Sequence, residues 1–198
     1  AQTATEKVTF GDCRDLDPMV SPDGNHIAFA SNSTGHFDIY LLTFGKSGFT
    51  QMTQDDKDDR YPTWSADNNT ILFCSKRTGK GDLYEIGREK ASIVSLTTSD
   101  LIDEYPSLSL RGTGLVFAQG VEKKLRLRPD MRVVYAKTRG EASNPVTLAD
   151  GDEPTLSPDG KKVVFVSRRT KNNDVWMMNV DGTAQTQLTT DSKDDENP

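Results

Sequence analysis

Four apolar triplets recur along the chain, each behind the same polar phrase. Ile27-Ala28-Phe29, Ile71-Leu72-Phe73, Leu115-Val116-Phe117 and Val163-Val164-Phe165 all end in phenylalanine. Short apolar runs of this make suit buried strands. Before the last lies Ser157-Pro158-Asp159-Gly160, a tight turn in which Pro158 presets φ and Gly160 supplies the left-handed residue. Ser21-Pro22-Asp23-Gly24, Ser65-Ala66-Asp67-Asn68 and Ser109-Leu110-Arg111-Gly112 hold the same place. Gly24, Asn68, Gly112 and Gly160 are thus the expected left-handed positions, and asparagine tolerates that conformation better than most residues.

The inner strand ahead of each turn carries a proline. Pro18, Pro62, Pro106 and Pro154 stand 44, 44 and 48 residues apart, and Pro198 follows 44 later. Beyond each triplet come a polar loop, a third strand such as Asp38-Ile39-Tyr40 or Asp82-Leu83-Tyr84, and an outer strand ending in Met52-Thr53, Leu96-Thr97 or Leu188-Thr189. Four short antiparallel strands per repeat of this length describe a β-propeller blade. One blade cannot bury both faces, so its neighbours must. The expected fold is all-β: a propeller of four-stranded antiparallel blades with four blades present, as a partial propeller or half of a larger ring.

The expected divisions follow the prolines. Residues 1–16 supply the outer strand of a preceding blade, through Lys7-Val8-Thr9-Phe10, and a linker. Residues 17–60, 61–104 and 105–152 form blades one to three, and 153–198 form blade four and the start of a fifth repeat. Blade three is degenerate. Phe117 to Tyr135 spans 18 residues where Phe73 to Tyr84 spans 11, and the excess includes the basic run Lys123-Lys124-Leu125-Arg126-Leu127-Arg128. An outer strand at each end reads as a fragment of a longer protein, or as a chain that self-associates to complete a ring. No helix is expected.

At this point the residues resemble the TolB-type, WD-repeat-like propeller repeat. The pattern runs from Pro-x-Trp/Leu-Ser-Pro-Asp-Gly through the triplet to Asp-Ile-Tyr, Asp-Gly and Leu-Thr. It occupies Pro18 to Thr53, Pro62 to Thr97 and Pro154 to Thr189, with Pro106 to Leu148 degenerate. The resemblance implies a non-enzymatic platform that binds a protein or glycan in the cell envelope, in a periplasmic or extracellular setting. The same repeat also builds accessory domains of prolyl-oligopeptidase-like and tricorn-like hydrolases, the alternative reading. A metal-dependent polysaccharide lyase is a weaker one. The third repeat lacks Pro-Asp-Gly and Asp-x-Tyr, which weakens transfer of a specific partner but not of the fold.

Charge narrows the partners. The net charge of −6 and a pI near 5.0 argue against nucleic acid. No apolar run has membrane-spanning length, so no membrane insertion is expected. Cys13 and Cys74 occupy unrelated repeat positions, and no disulfide is inferred between them. Ala1-Gln2-Thr3-Ala4 reads equally as a start left by leader removal or as a sequence boundary.

Acidic clusters precede the inner strands, and basic residues sit in the loops between second and third strands. Strand alternation places both on one face. Asp58, Asp59, Arg77, Asp103, Glu104, Asp152, Glu153, Arg168 and Arg169 are therefore the expected partner-binding residues. Taken singly, each cluster reads as a solvated loop whose ion pairs contribute about 0–1 kcal/mol. Taken together on a rigid frame, they read as a docking face. A calcium site is disfavoured for want of an Asp-x-Asp-x-Asp-Gly loop. His26 and His36 are isolated, and no Gly-x-Ser-x-Gly elbow occurs, so no catalytic residue, metal ligand or cofactor is expected. Asp38, Asp82 and Asp174, which open the third strands, read as hairpin caps accepting backbone N–H groups.

Overall fold

The computed structural model describes residues 8–9, 11–90, 92–111, 113–121 and 130–198. Among these residues sixteen strands form four sheets in strict meander order. Blade one holds β1 (Asp15–Val20), β2 (His26–Ser31), β3 (Asp38–Thr43) and β4 (Phe49–Gln51). Blade two holds β5 (Asp59–Trp64), β6 (Thr70–Ser75), β7 (Asp82–Gly87) and β8 (Val94–Ser95). Blade three holds β9 (Ile102–Leu108), β10 (Leu115–Val121), β11 (Asp130–Ala136) and β12 (Val146–Asp150). Blade four holds β13 (Asp152–Leu156), β14 (Lys162–Ser167), β15 (Asp174–Asn179) and β16 (Thr186–Gln187). The all-β propeller architecture read from the sequence is the one observed. Among the described residues a single 3-10 turn, Arg139–Glu141, interrupts it. Val8 and Thr9 join no strand. Lys7, Phe10, Gly112 and the basic run 123–128, also singled out above, lie outside the described residues.

The apolar triplets are continuous because each middle blade is sandwiched. Successive residues of a strand point to opposite faces. Ile71 and Phe73 therefore pack toward blade one, among Ala28, Ile39 and Leu41, while Leu72 and Cys74 pack toward blade three, against Leu115 and Phe117. Val116 turns the other way and joins Val163, Phe165 and Met178 of blade four. A strand buried on both faces has no position to spare for a polar side chain. Each of these three cores joins two successive blades, and none of them joins blade four to blade one.

The turns between first and second strands of blades one, two and four are built alike. Ser21, Ser65 and Ser157 hydroxyls donate to Asp23, Asp67 and Asp159 carboxylates at 2.6 Å. Each carboxylate also accepts the backbone N–H two residues on. These bonds, the serine's first, hold the three exposed carboxyls below the usual aspartate range. Gly24, Asn68 and Gly160 have φ of 72°, 61° and 72°, as their turn positions require. At Gly160 a Cβ would also lie 2.7 Å from the Ser109 Oγ of blade three. Gly160→Val is accordingly expected to destabilise the chain by about 1–2 kcal/mol. Thermal unfolding reads it, and an unchanged midpoint would contradict the turn geometry.

Candidate functional site

Inner strands β1, β5, β9 and β13 lie side by side at the propeller axis, with β1 against β5, β5 against β9 and β9 against β13. Direct bonds stitch them: Trp64 Nε1 donates to Met19 O at 3.0 Å, and Leu156 N donates to Ser107 Oγ at 3.0 Å. Each inner strand breaks register at its proline, with shifts between Leu16 and Met19, Arg60 and Thr63, and Asp152 and Thr155, and opposite Val116 and Ala118. Proline has no N–H to give a ladder, so within a sheet it belongs at an edge or a bulge. Here it does both.

The residue before each proline pays for the bulge in backbone strain. Asp17, Tyr61, Tyr105 and Glu153 have φ of 53°, 56°, 54° and 50°. A residue preceding proline is ordinarily pushed into extended conformations, and a left-handed non-glycine costs roughly 1–3 kcal/mol. Bulges re-aim side chains, and such strain clusters where side chains are used.

The re-aimed side chains meet across the blades. Arg60 grips Asp17 with two parallel bonds, Nε to Oδ2 at 3.0 Å and Nη2 to Oδ1 at 3.1 Å. Its guanidinium lies 4.7 Å from the Tyr61 ring centroid and 5.2 Å from that of Phe37. Burial, the largest single influence, would lower the Arg60 pKa, but the Asp17 bond together with the charge interactions with Tyr61, Asp17 and Tyr105 outweighs it, and the group is held above its ordinary value. The rings of Tyr61 and Tyr105 are 4.1 Å apart, and the Tyr61 hydroxyl donates to the Tyr105 hydroxyl at 3.2 Å. Burial raises both phenols, so both remain protonated donors at neutral pH. Burial also raises the Glu104 carboxyl, against the pull of Lys76 and Arg60. This half-buried row presents aromatic faces, hydroxyls and a bidentate ion pair together.

The acidic and basic loops do share one face, but much of their hydrogen bonding is internal. Asp58 Oδ1 accepts Phe37 N at 3.1 Å, and Asp194 Oδ1 accepts Asn173 N at 2.8 Å in the equivalent place of blade four. Asp59 is fully buried, with Arg77 Nη2 3.1 Å away. Arg77 also pairs with Asp55 at 2.9 Å, bonds Ser75 Oγ and covers the Tyr84 ring at 4.5 Å. Arg169 repeats this on Ser167 Oγ and the Trp176 ring at 4.5 Å. Asp103 is fully buried and accepts Gln119 Nε2 at 3.0 Å. Arg168 donates to Asn173 Oδ1. Asp152 and Glu153 stand at the start of β13, where Asp152 Oδ1 accepts Glu153 N at 2.9 Å and Glu153 Oε2 accepts Asn197 N at 2.8 Å. Asp38, Asp82 and Asp174 accept the hydroxyls of Thr34, Thr78 and Thr170, four residues upstream, rather than the expected backbone N–H groups. Among the described residues no three His, Cys, Asp or Glu side chains converge as a metal-ligand group.

Of the expected site residues, Glu104 feels the charge of Arg60, and Glu153 holds in blade four the same strained position before proline as Asp17, Tyr61 and Tyr105. Asp17, Arg60, Tyr61 and Tyr105 form the axial row without having been singled out. The missed signal was a proline inside every inner strand, which demands a bulge and so marks the residue before it.

A family model described as the TolB beta propeller domain matches residues 2–198. Among solved structures, TolB from Acinetobacter baumannii superposes with a TM-score of 0.74 at 21% identity, covering 90% of this chain and 44% of that one. The putative TolB from Agrobacterium tumefaciens gives 0.74 at 24%, covering 87% and 64%. A puromycin-hydrolyzing peptidase of Mycobacterium tuberculosis gives 0.69 at 15%, covering 89% and 29%. This chain spans less than two thirds of the length of each. No curated protein sequence matches.

Proposed function

Because the chain belongs to the TolB beta propeller domain family, we propose that it is a non-enzymatic platform binding a protein partner of the cell envelope, with the periplasm as its compartment. The observation carrying this reading is the axial row: the Tyr61–Tyr105 pair beside the Arg60–Asp17 fork, held on strained bulges. Tyrosine and arginine are the side chains most often found as energetic anchors of interfaces. They are also rigid here, so little freedom is lost on docking. The loop face around them, with Asp58, Lys76 and Lys80, forms the polar rim.

Site-specific photo-crosslinking in the intact cell tests this. A crosslinker at Lys80, on the loop face, is expected to trap one discrete envelope protein, while one at Lys161, in the turn on the other face, traps none. Arg60→Ala should cut the Lys80 product at least about tenfold, equivalent to 1.4 kcal/mol. Equal products from both positions, or a product insensitive to Arg60, would sink the axial reading.

A further inference from the structure

The face opposite the loop rim carries the turns that join first to second and third to fourth strands. There, between blades one and two, lies a cleft of about 380 Å3. Buried Leu41 lines its base, and His26, Lys46, Arg88 and Lys90 ring it, with Glu89 as the acidic member. Three fixed cations against one carboxylate make this cleft positive in a chain of net charge −6.

The cleft is framed on backbone bonds. Phe44 N donates to Asn25 O at 3.0 Å, and Arg88 N donates to Asn69 O at 2.8 Å. These bonds fix the outer turns to the inner turns of blades one and two. His26 is oriented by Thr43, with Nδ1 3.0 Å from its Oγ1, and Nε2 lies 3.4 Å from Arg88 Nη1. Arg88 Nε meets Glu89 at 3.4 Å, but that carboxylate is 88% exposed and binds it weakly. Lys46 and Lys90 approach from the two blades with exposed ammonium groups. Donors from both blades therefore converge on one opening.

We propose that this cleft binds a small soluble sugar phosphate, the phosphate lying between Arg88 and the two lysines. The excess of two positive charges matches a phosphate monoester dianion, and arginine and lysine are the side chains that recognise phosphate. The volume falls within the range of small-molecule sites. Thr50 and Glu89 on the rim give the sugar hydroxyls a donor and an acceptor. This site lies on the face opposite the axial row and does not depend on it.

Isothermal calorimetry of the whole chain at low salt tests the assignment with three probes: glucose 6-phosphate, inorganic phosphate and glucose. Glucose 6-phosphate is expected to saturate with a Kd of about 1 mM or tighter, inorganic phosphate to bind at least about tenfold more weakly, and glucose to give no heat. Arg88→Met should weaken the sugar phosphate about tenfold or more, and so should the surface pair Lys46→Ala with Lys90→Ala, which leaves the core untouched. Lys161→Ala, an equal charge loss elsewhere on the same face, should leave it unchanged. The site is overturned if no phosphate probe saturates, or if Lys161→Ala costs as much as Arg88→Met. Equal affinity for the two phosphates overturns the sugar.

Discussion

Replacing Phe117 by alanine is expected to cost about 3–5 kcal/mol, the usual range for emptying a buried phenylalanine site. Phe117 is fully buried on β10, where it packs toward blade two with Leu72, Cys74 and Leu83. Both blades are rigid sheets, so the space cannot collapse without shifting one blade against the other. A domain of this kind holds roughly 5–15 kcal/mol in total, and the loss takes a large share of it. Because each blade is stabilised by its neighbours, the damage falls on the joint between the first and second pairs of blades. Urea unfolding followed by tryptophan fluorescence is the measurement. A loss under about 1 kcal/mol would mean that the interblade core is not packed as described.

The fold was legible because its constraints are local. A left-handed turn residue, an apolar triplet and a fixed interval are all visible within one repeat, and sandwiching between blades explains why Ile71, Leu72 and Phe73 are apolar without alternation. The axial row was less legible because its contacts run between repeats. Asp17 meets Arg60, 43 residues on, and Tyr61 meets Tyr105, 44 residues on. Runs of like charge drew attention to Asp58, Asp59 and Arg77 instead. In the structure Asp58 ties the loop before β5 to the loop between second and third strands of blade one, while Arg77 pairs with Asp55 and Asp59 at the edge of its own blade. Even Tyr61 and Tyr105 concealed their backbone conformation: the residue before a proline is ordinarily extended, and the register of the sheet overrides that preference.

Asp59 gives the second large effect, a difference between variant and parent that depends on pH. Burial drives its carboxyl from 3.8 up to about 6, against the bonds from Ser75 and Thr53 and the charge of Arg77. The folded state thus holds this proton more tightly than the unfolded chain does. The stability gained from that proton is complete below about pH 3.8 and is lost as pH rises through about 6. Asparagine copies the neutral acid and does not titrate. Arg77 keeps Asp55 at 2.9 Å, so Asp59→Asn does not strand it. Across the interval from 3.8 to about 6, the variant's stability relative to the parent should therefore rise by up to about 3 kcal/mol. Groups titrating elsewhere cancel in the difference. Urea titrations of both proteins at pH 4, 5, 6 and 7.5 measure it. Curves that stay parallel would show that Asp59 is ionised in the fold throughout, with its Arg77 contact outweighing the cost of burial.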